Sequence, residues 1–479
     1  MKKRILIFAL SLFGLTASAQ LNNPGFEQPS NVNATLPSGW GLAPVPGFTV
    51  SLDSMVKHTG KYALKMVGNP IQANSFMNFT QNLSINYNTL KRIKLTAYVK
   101  TEELKGNVAL WCQIWDGNKK RIGFENSGSQ GVSITGTNYW QKIALNLIVG
   151  KDAKTLFFGA YTMGTGTVYF DDIAVEEFEG GNEQPTPEVL KFNREFIDIV
   201  KKHSIYADSI DWKALDPDLK SLSMGLKTVV DAQVVNNYVL QALRKAGDNH
   251  SFIQNKVAAK NYANSNTSQA KPESKLLEGG IGYISVPAYG STNKEVGEAF
   301  AAGIQSMIKK LDSANDIKGW VVDLRGNGGG NMYPMISGLG PMLDVGELGY
   351  FVKGKTSMPW KNTRNGMRVN VKDPYVLKNS KNKIAVLIGR GTGSSGEMTA
   401  ITFIGQANTR LFGEPSSGYI TANQTFPLSD GSNLLLASTY VADRNKKKYL
   451  QRIFPDVEVK SVTGEDAVLK TAQAWVLGK

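Results

Sequence analysis

The pattern of hydrophobic and polar positions divides the chain into two parts. In the first part, apolar and polar residues alternate in short runs broken by Gly, Asn, Ser and Thr, as in residues 92–101, 107–115 and 141–149. A period of two is typical of half-buried β-strands. Several such strands without a long helical period predict an all-β sandwich over residues 20–178. The polar stretch 179–186, rich in Gly and Pro, is predicted to be a linker.

Helical spacing appears after the linker. Val189, Phe192 and Phe196 recur at intervals of three and four, and further helices are predicted over 217–229 and 231–246. Together these segments predict a group of helices.

We place this helical cap at residues 187–254 and interpret the polar stretch 255–275 as a loop. Apolar strands and amphipathic helices then alternate as strand, helix, strand, strand, helix, at residues 280–289, 293–314, 319–326, 384–389 and 397–407. Such alternation predicts an α/β core over residues 276–479.

Length and composition narrow the class of protein. A chain of 479 residues exceeds what one compact core usually holds, so we expect several domains. Cys112 is the single cysteine, which excludes an intramolecular disulfide. The net charge is +14, but no nucleic-acid-binding motif accompanies it, so we interpret the excess as a solvated basic surface and expect no nucleic-acid partner.

The first residues predict export. Lys2, Lys3 and Arg4 precede a short apolar run that ends in a small-x-small pattern before Gln20. This arrangement is typical of a secretory signal peptide, here residues 1–19. No later stretch is long and apolar enough for a transmembrane segment. We therefore expect a protein of the periplasm or the extracellular space.

A serine stands where a buried strand meets a helix. Ser394 follows the apolar strand and a glycine-rich turn, and Glu397 three residues later completes a capping box. At a helix N-terminus, free N–H groups attract negative charge. On capping statistics alone, Ser394 is a helix cap.

Other motifs in the chain favour a functional role for Ser394 over a capping role. They are DLRGNGGG at 323–330, GTGSSGEM at 391–398, GEPSSG at 413–418 and PDVEV at 455–459. In combination they resemble the C-terminal-processing, tail-specific and tricorn-core serine peptidases. The resemblance covers about 187–475. It implies a ClpP/crotonase-like core and cleavage of peptides or protein tails through an acyl-enzyme.

The resemblance also implies site residues. It makes Ser394 the nucleophile, and it gives the backbone N–H groups of Ser395 and Gly329 to the oxyanion hole. Tail-specific members carry a lysine base where this chain has Tyr419. A tyrosine, with a pKa near ~10, is a poor resting base at neutral pH, so a serine–lysine dyad is not expected.

A histidine is the alternative base. His250 lies in KAGDNHSF, which resembles the D-x-H-[ST] element of tricorn-like and nisin-resistance-like members. Its ordinary pKa of ~6.5 suits a group that accepts and then returns a proton. Asp248 and Glu458 both remain candidates for orienting its ring. His203 and His58 are interpreted as structural.

No cofactor, metal or PDZ domain is predicted. The sequence has neither HExxH nor CxxC, and its three histidines are scattered. Only a short polar stretch separates the cap from the core, too little for a PDZ domain. This layout is similar to that of nisin-resistance-type peptidases.

The first domain resembles carbohydrate-binding-module-like jelly rolls in its NPGFE, PSGW and VYFDDIAV stretches. That resemblance makes a glycan a second possible partner. Four tryptophans either stack on sugar rings or pack in the core: Trp40, Trp111, Trp115 and Trp140. Asp171 and Asp172 are weak candidates for a structural calcium site.

Two other functions therefore stay open beside the serine peptidase. One is an inactive peptide- or ligand-binding member of the same fold, which the tyrosine at 419 favours. The other is a glycan-binding protein that acts through its first domain.

Overall fold

A computed structural model describes residues 21–71, 75–178, 182–264, 270–460 and 464–479. The chain forms two compact units. One comprises the chain through Thr186 together with Asp216–Val234, and the other comprises Pro187–Leu215 together with Val235–Lys479. The predicted signal peptide lies outside the described residues. None of the described helices is long and apolar enough to cross a membrane.

The first unit is built on an antiparallel sheet. Its strands are β1 (Gly41–Leu42), β2 (Phe48–Asp53), β3 (Ala63–Gly68), β4 (Phe76–Ser84), β5 (Lys91–Asp116), β6 (Arg121–Asn126), β7 (Gly136–Val149) and β8 (Ala153–Phe178). β5 and β8 pair along their whole lengths, while β7 and β6 pair with successive halves of β5. β4 and β3 pair with successive halves of β8. The predicted β-rich first part is confirmed, and the jelly-roll assignment stays a prediction.

Glycines lie where the two long strands change partners and where their register is irregular. A Cβ on Gly164 would lie 2.1 Å from the carbonyl oxygen of Lys105, and φ of Gly164 is +85°. On the facing strand, a Cβ on Gly106 would lie 1.9 Å from the carbonyl oxygen of Met163. Only residues without a side chain permit this approach of the two backbones, so both positions require glycine.

Aromatic side chains fill the core of this sheet. Trp40 is 7% exposed, lies 5.1 Å from Phe79 between ring centroids, and also packs on Phe26 and Phe158. Its indole N–H donates to the carbonyl oxygen of Asn23 at 2.9 Å. Trp40 is therefore a core residue.

The two aspartates considered for calcium are engaged within the fold. Asp171 is fully buried and accepts hydrogen bonds from the backbone N–H groups of His58, Thr59 and Asp172. Burial raises the pKa of its carboxyl to about 6. The His58 ring lies 2.6 Å from an Asp172 carboxylate oxygen and stacks on Tyr98. These contacts agree with a structural role for His58.

The rest of the chain alternates helices and strands. The helices are α1 (Pro187–His203), α2 (Trp212–Ser223), α3 (Val229–Lys245), α4 (Lys256–Asn264), α5 (Lys294–Ala314), α6 (Met332–Gly338), α7 (Ser395–Ile401) and α8 (Ala467–Val476), with short 3₁₀ helices at Ala207–Ser209 and Gly340–Met342. The strands are β9 (Phe252–Gln254), β10 (Glu273–Leu277), β11 (Ile281–Ser285), β12 (Gly319–Asp323), β13 (Gly346–Lys353), β14 (Thr356–Asn362), β15 (Lys383–Ile388), β16 (Thr409–Gly413), β17 (Ala422–Pro427), β18 (Asn433–Asp443), β19 (Lys448–Tyr449) and β20 (Val457–Glu458).

A mainly parallel sheet forms the centre of the second unit. Its order is β10-β11-β12-β15-β16-β20, and only the β10–β11 pair is antiparallel. β12 reads GWVVD and is buried throughout, as expected of a strand covered on both faces. The alternation predicted for the core is confirmed. In open parallel sheets, ligands bind at the carboxyl ends of the strands. The loops that follow β12, β15 and β16 all begin at this edge of the sheet.

A second, antiparallel sheet supplies the other wall of the site. Its order is β14-β13-β18-β17, with β19 and β9 also paired to β18. β17 and β9 pair with the same stretch of β18, where Leu435 is opposite both Thr425 and Phe252. The segments just before β9 and β17 are thereby brought to the same end of the sheet.

Three boundaries differ from the predictions. The loop predicted at 255–275 is wrong where α4 and β10 form; Asn255 caps α4 by accepting from the Ala258 N–H at 2.9 Å, and alanines favour the helix. The helix predicted at 217–229 is α2, which begins earlier because Asp211 accepts from the Ala214 N–H. The helix predicted at 397–407 is the shorter α7.

Candidate active site

Ser394 occupies a strained position between β15 and α7. Its φ of 51° and ψ of −121° are disfavoured for a residue with a side chain, and such strain costs ~1–3 kcal/mol. Sharp strand-to-helix turns of this kind present a serine hydroxyl at the top of a sheet. Ser394 is partly exposed, although the residues that follow it are buried. The turn therefore presents the hydroxyl to solvent.

Glu397 holds this strained turn. One carboxylate oxygen accepts from the Ser394 N–H at 2.8 Å, which is the glutamate half of the predicted capping box. The other oxygen accepts from the Ser416 hydroxyl and from the Gly418 N–H at 2.9 Å. Glu397 is fully buried, and burial raises the pKa of its carboxyl against the effect of these donors. It joins the serine turn to the 413–419 loop.

His250 lies within hydrogen-bonding distance of the serine. Its Nε2 atom is 2.9 Å from the Ser394 Oγ atom. The ring lies in the short segment between α3 and β9 and is 9% exposed. The structure thus brings together the two residues predicted as nucleophile and base, which are 144 positions apart.

The other ring nitrogen defines which tautomer is present. Nδ1 lies 2.8 Å from the carbonyl oxygen of Thr421 and 3.1 Å from the Thr421 hydroxyl. A carbonyl oxygen only accepts hydrogen bonds, so Nδ1 carries the proton of the neutral ring. The lone pair of Nε2 then faces Ser394, as a base for its hydroxyl requires.

Burial keeps this histidine neutral. Desolvation lowers the pKa of the His250 imidazole, and it outweighs the Thr421 carbonyl and the charge of Asp248, both of which raise it. The ring therefore remains an acceptor at pH 7.

A buried turn positions the His250 backbone. Asp248 accepts from the N–H groups of His250 and Ser251, each at 2.9 Å. The Ser251 hydroxyl donates to Asp248 and accepts from the Ala437 N–H of β18 at 2.9 Å. Asn423 donates from its side-chain amide to the His250 carbonyl oxygen at 2.9 Å. The turn is consequently attached to β18 and β17.

The orienting group differs from both sequence candidates. Within the described contacts, the Asp248 carboxylate bonds to the backbone rather than to the imidazole, and Glu458 is exposed on β20. Thr421 performs this role mainly through its backbone carbonyl. Every residue carries a carbonyl, so the sequence contained no signal for it.

The two predicted oxyanion residues lie beside the serine. A Cβ on Gly329 would lie 2.7 Å from the Ser394 Cβ atom and 3.0 Å from the Ser395 nitrogen. φ of Gly329 is +114°, which also favours glycine. Its N–H donates to the Asn327 side-chain oxygen at 3.1 Å. The Ser395 hydroxyl donates to the Gly330 carbonyl oxygen at 2.7 Å and locks the two turns together.

An arginine stabilises the base of the glycine turn. The Arg325 guanidinium donates to Asp323, at 2.6 Å from Nη2, and to Asp466, at 2.7 Å from Nη1. These carboxylates raise the pKa of Arg325 far above its ordinary range. The pairing ties the start of the glycine turn to Asp466, the residue that precedes α8.

Tyr419 covers one side of the histidine. Its ring centroid is 5.7 Å from that of His250, with 29° between the ring planes, and the side chain is 45% exposed. Where tail-specific peptidases carry a lysine base, this chain has an aromatic ring that packs beside His250.

These residues line one cleft of about 1040 Å³. Ser394, His250 and Tyr419 face it, together with apolar side chains such as Phe252 and Met398. In the part of the chain that the structure describes, no group of three or more His, Cys, Asp or Glu side chains is arranged to hold a metal ion. Ser394 and His250 give the cleft a hydroxyl and an imidazole within hydrogen-bonding distance of each other.

Comparisons with known proteins find relatives of this chain. Residues 280–459 match the model of Peptidase family S41. The nisin-resistance protein of Lactococcus lactis subsp. lactis is 31% identical over 288 residues, which are 58% of this chain and 85% of that protein. The carboxy-terminal processing protease CtpA of Bacillus subtilis (strain 168) is 30% identical over 164 residues, 34% of this chain but only 31% of that protein.

A solved structure is also similar to this chain. The structure of a lipoprotein from Streptococcus agalactiae has a TM-score of 0.51 and 26% sequence identity, covering 61% of this chain and 97% of that chain. Since the similarity to the nisin-resistance protein extends over most of that protein's length, and the family model matches the sheets that carry Ser394, the chain belongs to peptidase family S41, a family of serine peptidases.

Proposed function

We propose that this protein is an active serine peptidase that cleaves peptides or protein tails through an acyl-enzyme, with Ser394 as nucleophile and His250 as general base. The observation that carries the proposal is the 2.9 Å contact between His250 Nε2 and Ser394 Oγ, in the tautomer selected by the Thr421 carbonyl. A dyad in this arrangement activates a hydroxyl that is otherwise weakly nucleophilic.

The reaction follows from the geometry. Ser394 Oγ attacks the carbonyl carbon of the scissile bond while its proton passes to His250 Nε2. The N–H groups of Gly329 and Ser395 stabilise the oxyanion, and the substrate oxygen replaces Asn327 as the acceptor from Gly329. His250 then donates the proton to the leaving amine. A water molecule, deprotonated by His250, then attacks the acyl carbon, and His250 passes that proton to Ser394 Oγ as the bond between the acyl group and the serine breaks.

We place this activity outside the cytoplasm, in the periplasm or the extracellular space. The predicted signal peptide at 1–19 supports export, and the similar solved structure is described as a lipoprotein. Fractionation of cells that express the full-length chain tests this location. Retention of an uncleaved chain in the cytoplasm would contradict it.

Substitution of the dyad tests the activity. Ser394→Ala and His250→Ala should each abolish cleavage of a quenched fluorescent peptide library, whereas His203→Gln should retain it because that ring lies on α1 and contacts Phe426. Circular dichroism checks that each variant is folded. Full turnover in either dyad variant would rule out the mechanism, and a folded wild type without any turnover would favour an inactive ligand-binding protein.

A second function, glycan binding, is favoured by the outer face of β5, β6 and β8. This face bears aromatic rings and amides from alternate positions, opposite the buried Leu110 and Cys112: Trp115, Phe124, Phe157, Tyr161, Asn107, Gln113 and Asn126. Trp111 points to the same side but is buried, with 9% exposure. These side chains are uncharged, and Arg121, the register partner of Trp115, adds one cation to the face. Aromatic faces pack on the C–H faces of sugar rings, and amides bond to hydroxyls, so the chemistry suits a neutral polysaccharide.

Trp115→Ala tests this face in the full-length chain. Retention on insoluble polysaccharides should fall relative to wild type. The control is Tyr139→Ala, which removes an 82% exposed aromatic ring from β7. Equal retention of wild type and Trp115→Ala, or no retention of the wild type on any neutral polysaccharide, would eliminate glycan binding at this face.

A further inference from the structure

One surface segment of the second unit is strongly cationic. Residues 444–454 read RNKKKYLQRIF and contain five basic residues but no aspartate or glutamate. Arg444 pairs with Asp344. The three lysines at 446–448 and Arg452 are exposed, and they belong to none of the ion pairs between described side chains. The segment therefore presents four positive charges to solvent.

Two large apolar side chains belong to the same segment. Leu450 is 66% exposed and Phe454 is 64% exposed. Ile453, between them, is fully buried; its N–H donates to the Ser416 hydroxyl at 2.9 Å, and its carbonyl oxygen accepts from the Ser416 N–H at 3.0 Å. Since these hydrogen bonds fix the backbone, folding leaves both apolar side chains in contact with water.

The turn that carries the lysines is also fixed. Asp443 is buried and accepts from the N–H groups of Asn445 at 2.9 Å and Lys447 at 3.0 Å. The Tyr449 hydroxyl donates to the other oxygen of the same carboxylate at 3.0 Å. The cations and the apolar side chains thus lie on an ordered stretch of backbone.

The combination of exposed cations and exposed apolar side chains indicates the kind of partner. Cations alone suit any polyanion, but a soluble polyanion offers no apolar layer for Leu450 and Phe454. A bilayer with anionic headgroups supplies both, because its phosphates attract lysine and arginine while the acyl boundary beneath them accepts leucine and phenylalanine. The chemistry of the segment therefore fits a lipid surface.

We propose that residues 444–454, here called the docking loop, bind the surface of a bilayer that contains anionic phospholipids. The cations contact the phosphate headgroups, and Leu450 and Phe454 enter the layer beneath them. Such binding is peripheral and reversible. It is separate from the proposed catalysis, since no residue of the docking loop is among the described residues that line the cleft.

Cosedimentation with phospholipid vesicles tests the proposal. The protein is used from Gln20 onward, as export would leave it, because the apolar run of the predicted signal peptide would itself bind lipid. Binding to vesicles of equal parts phosphatidylglycerol and phosphatidylethanolamine should be at least ~tenfold tighter than binding to phosphatidylcholine vesicles, since each cation near an anionic surface contributes about fivefold.

Substitution of the lysines tests the charged contribution. Combining Lys446→Gln, Lys447→Gln and Lys448→Gln should weaken binding to the anionic vesicles by roughly 100-fold, at about fivefold per lysine. The control combines three exposed lysines outside the docking loop, on α5 and just before β15, and removes the same charge: Lys309→Gln, Lys310→Gln and Lys381→Gln. The control should retain most of the binding.

Substitution of the apolar pair tests the lipid contribution. Leu450→Ser with Phe454→Ser should weaken binding to the anionic vesicles by about tenfold, because less apolar surface leaves water. The same variant should bind dextran sulfate, a soluble polyanion, as the wild type does. Val345→Ser with Val376→Ser removes two exposed apolar side chains elsewhere in the second unit and should leave vesicle binding unchanged. Circular dichroism checks that every variant is folded.

Several results would overturn the proposal. They are equal binding to anionic and neutral vesicles, no binding to either, or equal losses in the docking-loop variants and their controls. A loss with the lysine variant but none with Leu450→Ser and Phe454→Ser would identify a surface for soluble polyanions, and would also exclude the lipid assignment.

Discussion

At the scale of single residues, the site depends on hydrogen bonds that hold Ser394, His250 and Gly329 in place. The predicted nucleophile and base were identifiable because a hydroxyl and an imidazole are chemically rare groups in recognisable motifs. The orienting group was not, because Thr421 contributes a backbone carbonyl. The sequence motif assigned the Gly329 N–H to the oxyanion hole. It did not indicate that, in this structure, the same N–H donates to the Asn327 side chain.

The lowered pKa of His250 predicts the pH dependence of cleavage. The acid limb of kcat/KM should have its midpoint below about 6.5, because burial disfavours the imidazolium that blocks catalysis. Asp248→Asn should move the midpoint further down, since it removes a negative charge that favours the imidazolium. A midpoint above 6.5 in the wild type, or an upward shift in Asp248→Asn, would contradict the assignment.

The lowered pKa of His250 also makes the free energy of unfolding depend on pH. Below about 6.5 the unfolded chain gains a proton at this histidine that the folded chain resists, so the free energy of unfolding should fall as pH decreases through that window. The fall ends below the folded-state pKa, where both states are protonated. Denaturant titrations of wild type and His250→Ala measure the contribution, which should be absent from the variant.

Gly329→Ala should remove most activity. Its Cβ would lie 2.7 Å from the Ser394 Cβ atom, so the oxyanion turn must move, and loss of one donor of this kind costs about 10²–10³ in kcat. Gly326→Ala is the matched control, because its Cβ would meet no heavy atom within 4 Å. Similar kcat values for the two variants would show that this close approach is dispensable.

At the scale of elements, periodicity located the buried strands well and the helix ends poorly. β12 and β15 were predictable because each contains an unbroken apolar run, residues 320–322 and 384–388. α7 is shorter than its apolar pattern indicated: the Thr399 and Thr402 hydroxyls donate to backbone carbonyls, and Gly405 takes a φ of +81°. α4 was missed because a short, polar helix has little amphipathic signal.

Ser251 tests the attachment of the histidine turn to β18. Ser251→Ala leaves the buried Ala437 N–H without its acceptor, so the free energy of unfolding should fall by ~1–3 kcal/mol, and kcat should fall because the turn carries His250. Ser251→Thr keeps the hydroxyl and should recover most of both losses. Denaturant unfolding and peptide kinetics on the two variants measure them. Equal behaviour of Ala and Thr would show that the hydroxyl is unimportant.

At the scale of the whole molecule, the chain forms two units, and all candidate catalytic residues belong to the second. The first unit is made of two separate stretches of the sequence. It includes Asp216–Val234, to which the β-rich part bonds: the Arg92 guanidinium donates to the Met224 carbonyl oxygen at 2.8 Å and lies over the Phe178 ring. Burial lowers the pKa of Arg92 to about 10. The linker was predicted at 179–186 from composition alone. Composition does not indicate that residues 216–234, which follow the linker, belong to the first unit.

Deletion of residues 1–178 should therefore destabilise the remaining chain. Asp216–Val234 would lose its partners in the β-rich part, and each kcal/mol lost lowers the melting temperature by ~2–4 °C in domains of about 150–250 residues. Calorimetry of the deletion variant beside the full-length Ser394→Ala chain measures the change. An equal or higher melting temperature for the deletion variant would show that the return segment is stable without those contacts.

The most direct measurement of the Ser394–His250 dyad is covalent labelling of the full-length protein with a fluorophosphonate, followed by mass spectrometry of its peptides. Only a serine whose proton is taken by a neighbouring base reacts rapidly with such a reagent. We expect one adduct, on Ser394, and a large loss of labelling rate in His250→Ala at neutral pH. Absence of an adduct on Ser394, or an undiminished rate in His250→Ala, would contradict the dyad.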